Sequence, residues 1–143
     1  MTLHLLKLCV GITSVDHLVA RQRRRLAAIG DFAGPAYLTH VTRNMPKRAA
    51  ELLDGGSLYW VIRGRIQVRQ RLVAIEPLFD ADGRRRCELR LDPTVVRTRP
   101  RRQRAIQGWR YLAPAEAPPD LDAADGEDMP GEMMAELRAL GLL

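Results

Sequence analysis

Residues 58–77 form the longest run of β-favouring residues in the chain, and one glycine, Gly64, interrupts it. Beyond that glycine, apolar and polar positions alternate. Ile66 and Val68 fall on one face, while Arg65, Gln67, Arg69 and Arg71 fall on the other. With a strand rise of about 3.3 Å per residue, successive polar side chains would stand about 6.6 Å apart, a basic rail backed by a buried face. The alternation fails near Gln70, because residues 72–75 are apolar whichever face they take. A bulge there, or a passage from a one-sided to a covered position, accounts for the change. The pattern predicts two strands, 58–63 and 65–76, bent or broken at Gly64.

The remaining elements follow by the same reading. Residues 3–10 make a central or near-central strand. Ser14 caps a helix over 15–29, with Asp16 in its first turn and Val15, Leu18, Val19, Gln22, Leu26 and Ile29 near one face. Arg21, Arg23, Arg24 and Arg25 lie mostly opposite, as a solvated face. A strand over 36–43 sets Tyr37, Thr39 and Val41 against Leu38, His40 and Thr42. A second helix over 47–53 starts at Pro46 and stops at Gly55 and Gly56. Asp80 to Gly83 is a turn, and the returning strand over 84–91 buries Cys87, Leu89 and Leu91. Shorter strands are expected over 95–99 and 105–112. From Ala113 a Pro- and Ala-rich linker leads to a short helix with Met133, Leu137 and Leu140 in line, which must dock to be stable.

Charge divides the chain. Residues 1–112 carry 22 Lys+Arg against 9 Asp+Glu, and residues 113–143 carry one arginine against 8 acids. The expectation is one basic domain over 1–112, with an acidic linker and short helix over 113–143 packing on or near it. A strongly positive field on a small domain favours polyanion partners, RNA first. No stretch reaches the roughly 18 uninterrupted apolar residues of a membrane span, so no membrane partner is expected. The N-terminal apolar run has no basic leader and no small-residue cleavage site, and Cys9 and Cys87 sit in apolar strands far apart in sequence. A cytoplasmic protein with reduced core thiols is the reading.

The candidate nucleic-acid contacts are Arg63, Arg65, Gln67, Arg69 and Arg71 along the rail, and Arg97, Arg99, Arg101, Arg102 and Arg104 in a loop with five arginines in eight residues. A guanidinium is a planar fork of donors that fits phosphate. The competing reading is a solvated face paired with Glu76, Glu88 or the acidic tail. Tyr59, Trp60, Trp109 and Tyr111 are base-stacking candidates, with Tyr37 a fifth aromatic; a stacked base contributes about 1–3 kcal/mol. Tyr59 and Trp60 point to opposite faces, so one is expected in the core and the other at least partly exposed. His4, His17 and His40 have no ligand-spaced partners, and no P-loop, dinucleotide fingerprint or nucleophile elbow occurs. No metal, cofactor or catalytic residue is predicted. His40 with Glu76 is the one acid–base pair worth weighing, against a purely structural histidine. Self-association, with the acidic tail and its helix as anchor, is the alternative to RNA binding.

Three segments carry a resemblance: Leu-His-Leu-Leu-Lys-Leu at 3–8, Leu-Tyr-Trp-Val-Ile-Arg-Gly at 58–64 with Arg-Gln-Arg at 69–71, and Gln-Gly-Trp-Arg-Tyr-Leu at 107–112. They resemble an uncharacterised bacterial family of about this length, which implies no catalytic residues. More loosely, the helix, the Asp54-Gly55-Gly56 turn, the strand ending at Gly64 and the long bent strand are similar to the PUA-like superfamily of PUA, ASCH and EVE domains. An acid directly after the glycine, frequent in that superfamily, is missing here. The second resemblance implies an α+β fold whose strands close a small mixed pseudobarrel with two main helices, and RNA or a modified base as ligand. Its nuclease and amidohydrolase members make a nucleotide-directed hydrolase a third reading.

Overall fold

The computed structural model describes residues 2–29 and 38–121. The elements run β1 (His4–Leu8), α1 (Val15–Ile29), β2 (Leu38–Thr42), α2 (Ala49–Leu52), β3 (Ser57–Ile62), β4 (Arg65–Phe79), β5 (Arg85–Leu91), β6 (Val96–Arg102) and β7 (Trp109–Leu112), then a 3₁₀ turn at Pro114–Glu116. Tyr37 and the predicted C-terminal helix lie outside the described residues.

The strands form one sheet in the order β2-β5-β4-β3-β1-β7, and β6 also pairs with β4. Only β1 and β3 run parallel; the other pairs are antiparallel. The first half of β4 lies between β3 and β6, and its second half pairs with β5. The α+β class is as expected, but the sheet is open and not the closed pseudobarrel that the looser resemblance implies. Its terminal strands β2 and β7 form no ladder with one another. Instead the Trp109 indole N–H donates to the Asn44 carbonyl at 2.7 Å.

Two bulges in β4 explain its broken pattern. Val68 faces Trp60 and Ile66 faces Val61, so Gln67 is an extra residue in the ladder with β3. Val73 is extra between Leu72 and Ala74 in the ladder with β5. A bulged residue reverses the facing of everything beyond it. Val68 accordingly joins the main core with Trp60, Leu58 and α1, whereas Ile66 joins a second layer with Leu6, Tyr59, Val61 and Leu112. Ile66 and Val68 therefore do not share a face. Because apolar layers cover both sides, every residue of β3 is buried.

Helix α1 begins as predicted, with the His17 amide donating to Ser14 Oγ at 3.0 Å. Val15, Leu18 and Gln22 are its buried face. Gln22 reaches β4, where its side-chain amide makes a reciprocal pair with that of Gln70 at 2.8 and 2.9 Å. Gln70 Oε1 also accepts from the Trp60 indole N–H at 2.9 Å, and Gln70 Nε2 also donates to the Asp92 carbonyl at 3.1 Å. The amide thus fills four hydrogen bonds in the core, as a buried polar group must. Helix α2 is shorter than predicted, a single turn without a side-chain cap. After it, Gly56 packs so closely that a Cβ would collide with the carbonyl oxygens of Leu3 and Leu52.

Candidate functional site

The β3–β4 connection is the two-residue turn Arg63-Gly64, with φ of 52° and 76°. Two successive left-handed residues match the right-handed twist of a hairpin, and Asn or Gly normally fills the first position. Among the described non-glycine residues, Arg63 alone has positive φ. Across the ladder Arg65 faces Arg102, and the Gln103 amide donates to the Gly64 carbonyl at 2.9 Å. Arg65, Arg102 and Arg104 therefore line a shallow cleft of about 450 Å³ beside Gly64, with Arg63 adjacent in the turn. Arg63, Arg102 and Arg104 are exposed, and their guanidinium groups have no hydrogen-bond or ion-pair partner among the described residues.

The rail itself does not form. Gln67, the bulge residue, is fully buried and donates to the Ile62 carbonyl at 2.7 Å. Its displacement sends Arg65 and Arg69 to opposite faces. Arg69 is held by Asp120 through two contacts of 2.7 Å and donates to Ser57 Oγ at 3.1 Å. The pairing raises the Arg69 pKa and lowers that of Asp120. Arg71 is exposed at the far end of this half of β4.

The arginine-rich segment 97–104 is a strand through Arg102, not a loop. Pro100 fits because it falls in the register shift between Arg97 and Arg101, opposite the bulge at Gln67, where the ladder with β4 is interrupted. Its other edge is covered by residues 119–121: Arg99 N–H donates to the Pro119 carbonyl and Leu121 N–H to the Arg97 carbonyl, at 2.9 and 2.8 Å. Arg97 reaches Asp16 at 3.0 Å, Arg101 donates to the Glu116 carbonyl, and Arg99 is partly buried with partners of its own. Of the ten predicted contacts, the structure gathers Arg63, Arg65, Arg102 and Arg104 and disperses the rest.

The aromatic expectations need correction. Tyr59 and Trp60 take opposite faces, but both are 4% exposed, because β3 is covered on both sides. Trp109 and Tyr111 are half-buried, edge to face at 4.9 Å. The Tyr111 hydroxyl accepts from the Arg48 amide at 3.1 Å, and the Arg48 guanidinium lies 5.6 Å from the Tyr111 ring centroid. Tyr59 lies in the core, Trp60 meets solvent only at the wall of a cleft, and Trp109 borders a second cleft with its indole N–H held by Asn44.

His40 and Trp60 do meet, edge to face at 5.1 Å, in a cleft of about 300 Å³ between α1 and the sheet. Glu76 is not there: it is exposed on β4 opposite Glu88. The acid–base pair therefore does not form. Burial, with Lys7 and Arg25 nearby, lowers the His40 pKa to about 4, so the ring is neutral. Burial raises the Cys9 thiol to about 12, which leaves it protonated. Cys9 and Cys87 are both free and buried. Among the described residues no group of three or more His, Cys, Asp or Glu is placed to hold a metal, and no helix is long and apolar enough to cross a membrane.

Fold and surface define a small α+β protein with an open, twice-bulged sheet and an arginine cluster at one hairpin turn. The chain belongs to the family described as protein of unknown function (DUF1489), whose model matches residues 5–143. No curated protein and no solved structure matches it.

Sequence reasoning missed the Gln22–Gln70–Trp60 network. Its signal was legible, since Gln22 sits on an apolar helix face and Gln70 marks the break in the strand pattern. It also set aside Arg21 and Arg25, which border the His40–Trp60 cleft.

Proposed function

We propose that this protein is a cytoplasmic RNA-binding module that reads the phosphate backbone through the arginines of the β3–β4 turn. The observation that carries the reading is the convergence of Arg65, Arg102 and Arg104 on one cleft, with Arg63 beside it in the turn, in a left-handed conformation that another residue would adopt at lower cost. Backbone strain tolerated at an exposed position points to a use for the side chain. The buried or engaged aromatics argue for phosphate contacts over base stacking, and hence for weak sequence preference.

If four guanidinium groups each engage one phosphate of a single strand, log K falls with log salt at a slope of about −3. Fluorescence anisotropy with labelled RNA at several salt concentrations measures it. Charge reversal at Arg63, Arg102 and Arg104 is expected to abolish binding while leaving the fold intact. Salt-insensitive binding, or binding indifferent to those reversals, sinks the proposal.

One observation favours self-association instead. Residues 119–121 already lie along β6 with the Asp120 carboxylate on Arg69, so this edge accepts an extended acidic chain. Removing residues 113–143 separates the readings. RNA affinity rises if the tail competes with RNA, whereas oligomers dissociate if the tail joins two copies.

A further inference from the structure

The cleft between α1 and the sheet is unexplained by phosphate binding. Its walls are apolar, with Leu18 on α1, Leu38 on β2 and Leu91 on β5, and Trp60 and His40 set ring against ring. Trp60 cannot turn freely, because its indole N–H is held by Gln70, and Gln70 is held in turn by Gln22 and the Asp92 carbonyl. The wall is thus preorganised. One polar atom in it is unsatisfied among the described residues: His40 Nε2 is buried and has no hydrogen-bond partner there. Such an atom costs about 1–3 kcal/mol unless something meets it.

The mouth has the opposite character. Arg21 and Arg25, one helical turn apart on α1, both border the cleft and both are exposed. The Arg21 guanidinium has no hydrogen-bond or ion-pair partner among the described residues, and that of Arg25 makes one long contact of 3.4 Å to the Thr39 carbonyl. Among the described residues no carboxylate lines the cleft. About 300 Å³ suits one substituted ring and lies at the small end of ligand pockets.

We propose that this cleft binds a small aromatic carboxylate bearing a ring hydroxyl or ring N–H. The carboxylate lies between Arg21 and Arg25, the ring lies against Trp60, and the donor meets His40 Nε2. The proposal is for binding: the thiol in the wall stays protonated, and no carboxylate among the described residues lines the cleft. The proposal is independent of RNA binding, since it uses none of the arginines of the hairpin turn.

The test is titration of the full chain with 4-hydroxybenzoate, 3-hydroxybenzoate, benzoate and phenol, followed by the Trp60 indole N–H in ¹H–¹⁵N spectra. About ten ligand atoms support a Kd of about 1 mM or tighter for a hydroxybenzoate. Benzoate, which lacks the donor, and phenol, which lacks the charge, are expected to bind at least about tenfold more weakly. The double variant Arg21→Ala, Arg25→Ala loses at least about tenfold for the hydroxybenzoates while its spectrum shows an intact fold. His40→Phe erases the preference for hydroxybenzoate over benzoate without weakening benzoate. No Trp60 shift at 10 mM with any of the four probes overturns the proposal. So does hydroxybenzoate binding that survives loss of both arginines.

Discussion

Replacing His40 with phenylalanine is expected to remove most of the acid sensitivity of this fold between pH 7.5 and pH 5. Phenylalanine keeps a ring against Trp60 and removes the one titrating group of that contact. In the native state burial, then Lys7 and Arg25, lower the His40 pKa from 6.5 to about 4. Above pH 6.5 the ring is neutral in both folded and unfolded chains, so it contributes no pH dependence. Between 6.5 and 4 the unfolded chain takes up a proton that the folded one refuses, and stability falls as pH falls. At pH 5 the shift amounts to about 2 kcal/mol, a sizeable share of the 5–15 kcal/mol typical of a domain. The His4 pKa is also lowered, by burial and by Arg69, and acts with the same sign. His4 is present in both proteins and cancels from the difference. Urea unfolding at the two pH values, read by circular dichroism, measures the effect. Wild type loses about 2 kcal/mol more than His40→Phe on acidification. Equal losses in the two proteins would show that the imidazole is protonated in the folded state, and the reasoning fails.

Three further outcomes follow from the geometry. Arg63→Asn relieves the left-handed strain at φ 52° and raises stability by about 0.5–1 kcal/mol in thermal unfolding, while RNA binding weakens; a variant that is both more stable and fully active in binding removes the reason for an arginine there. Gly56→Ala places a methyl against the carbonyl oxygens of Leu3 and Leu52, and expression of soluble folded protein is expected to collapse, as judged by size exclusion and circular dichroism. Gln22→Leu leaves Gln70 short of two hydrogen bonds and costs about 1–3 kcal/mol, whereas Gln22→Leu with Gln70→Leu costs less than the sum of the single changes; additive costs in the double-mutant cycle would deny the coupling.

Elements with simple periodicity were legible in the sequence. Helix α1 has the predicted bounds because Ser14 caps it and its apolar positions repeat at helical spacing. The β3–β4 break at Gly64 and the Asp80–Gly83 turn were legible because a positive-φ glycine marks each. In the second turn Asp80 Oδ1 also accepts from the Asp82 and Arg84 amides, at 3.0 and 2.9 Å. The basic rail was misread for a specific reason. The alternation over 65–69 is what a flat strand would show, and a bulge at Gln67 leaves no trace in it. The one clue is that Gln67 is the only uncharged residue assigned to the rail. Burial of both Tyr59 and Trp60 was equally hidden, since it depends on residues 106 and 117 covering the second face of the sheet.

The bulge bears on the function as well as the fold. An unbroken β4 would set Arg65, Arg69 and Arg71 in one row with a regular pitch, suited to tracking a polyanion along the strand. With Gln67 inserted, Arg69 turns toward Asp120 and Arg65 turns toward Arg102. The basic surface becomes a compact cluster at the turn, separated from a second region that the chain neutralises with its own carboxylate. Phosphate contacts are then expected to be few and clustered, and the salt slope measures that number directly. A slope much steeper than about −3 would mean that Arg69 and Arg71 also engage. Asp120 would then have to release Arg69, at a cost of no more than about 1 kcal/mol for a half-exposed pair. In that case Asp120→Asn raises RNA affinity; if only the turn engages, the substitution leaves affinity unchanged.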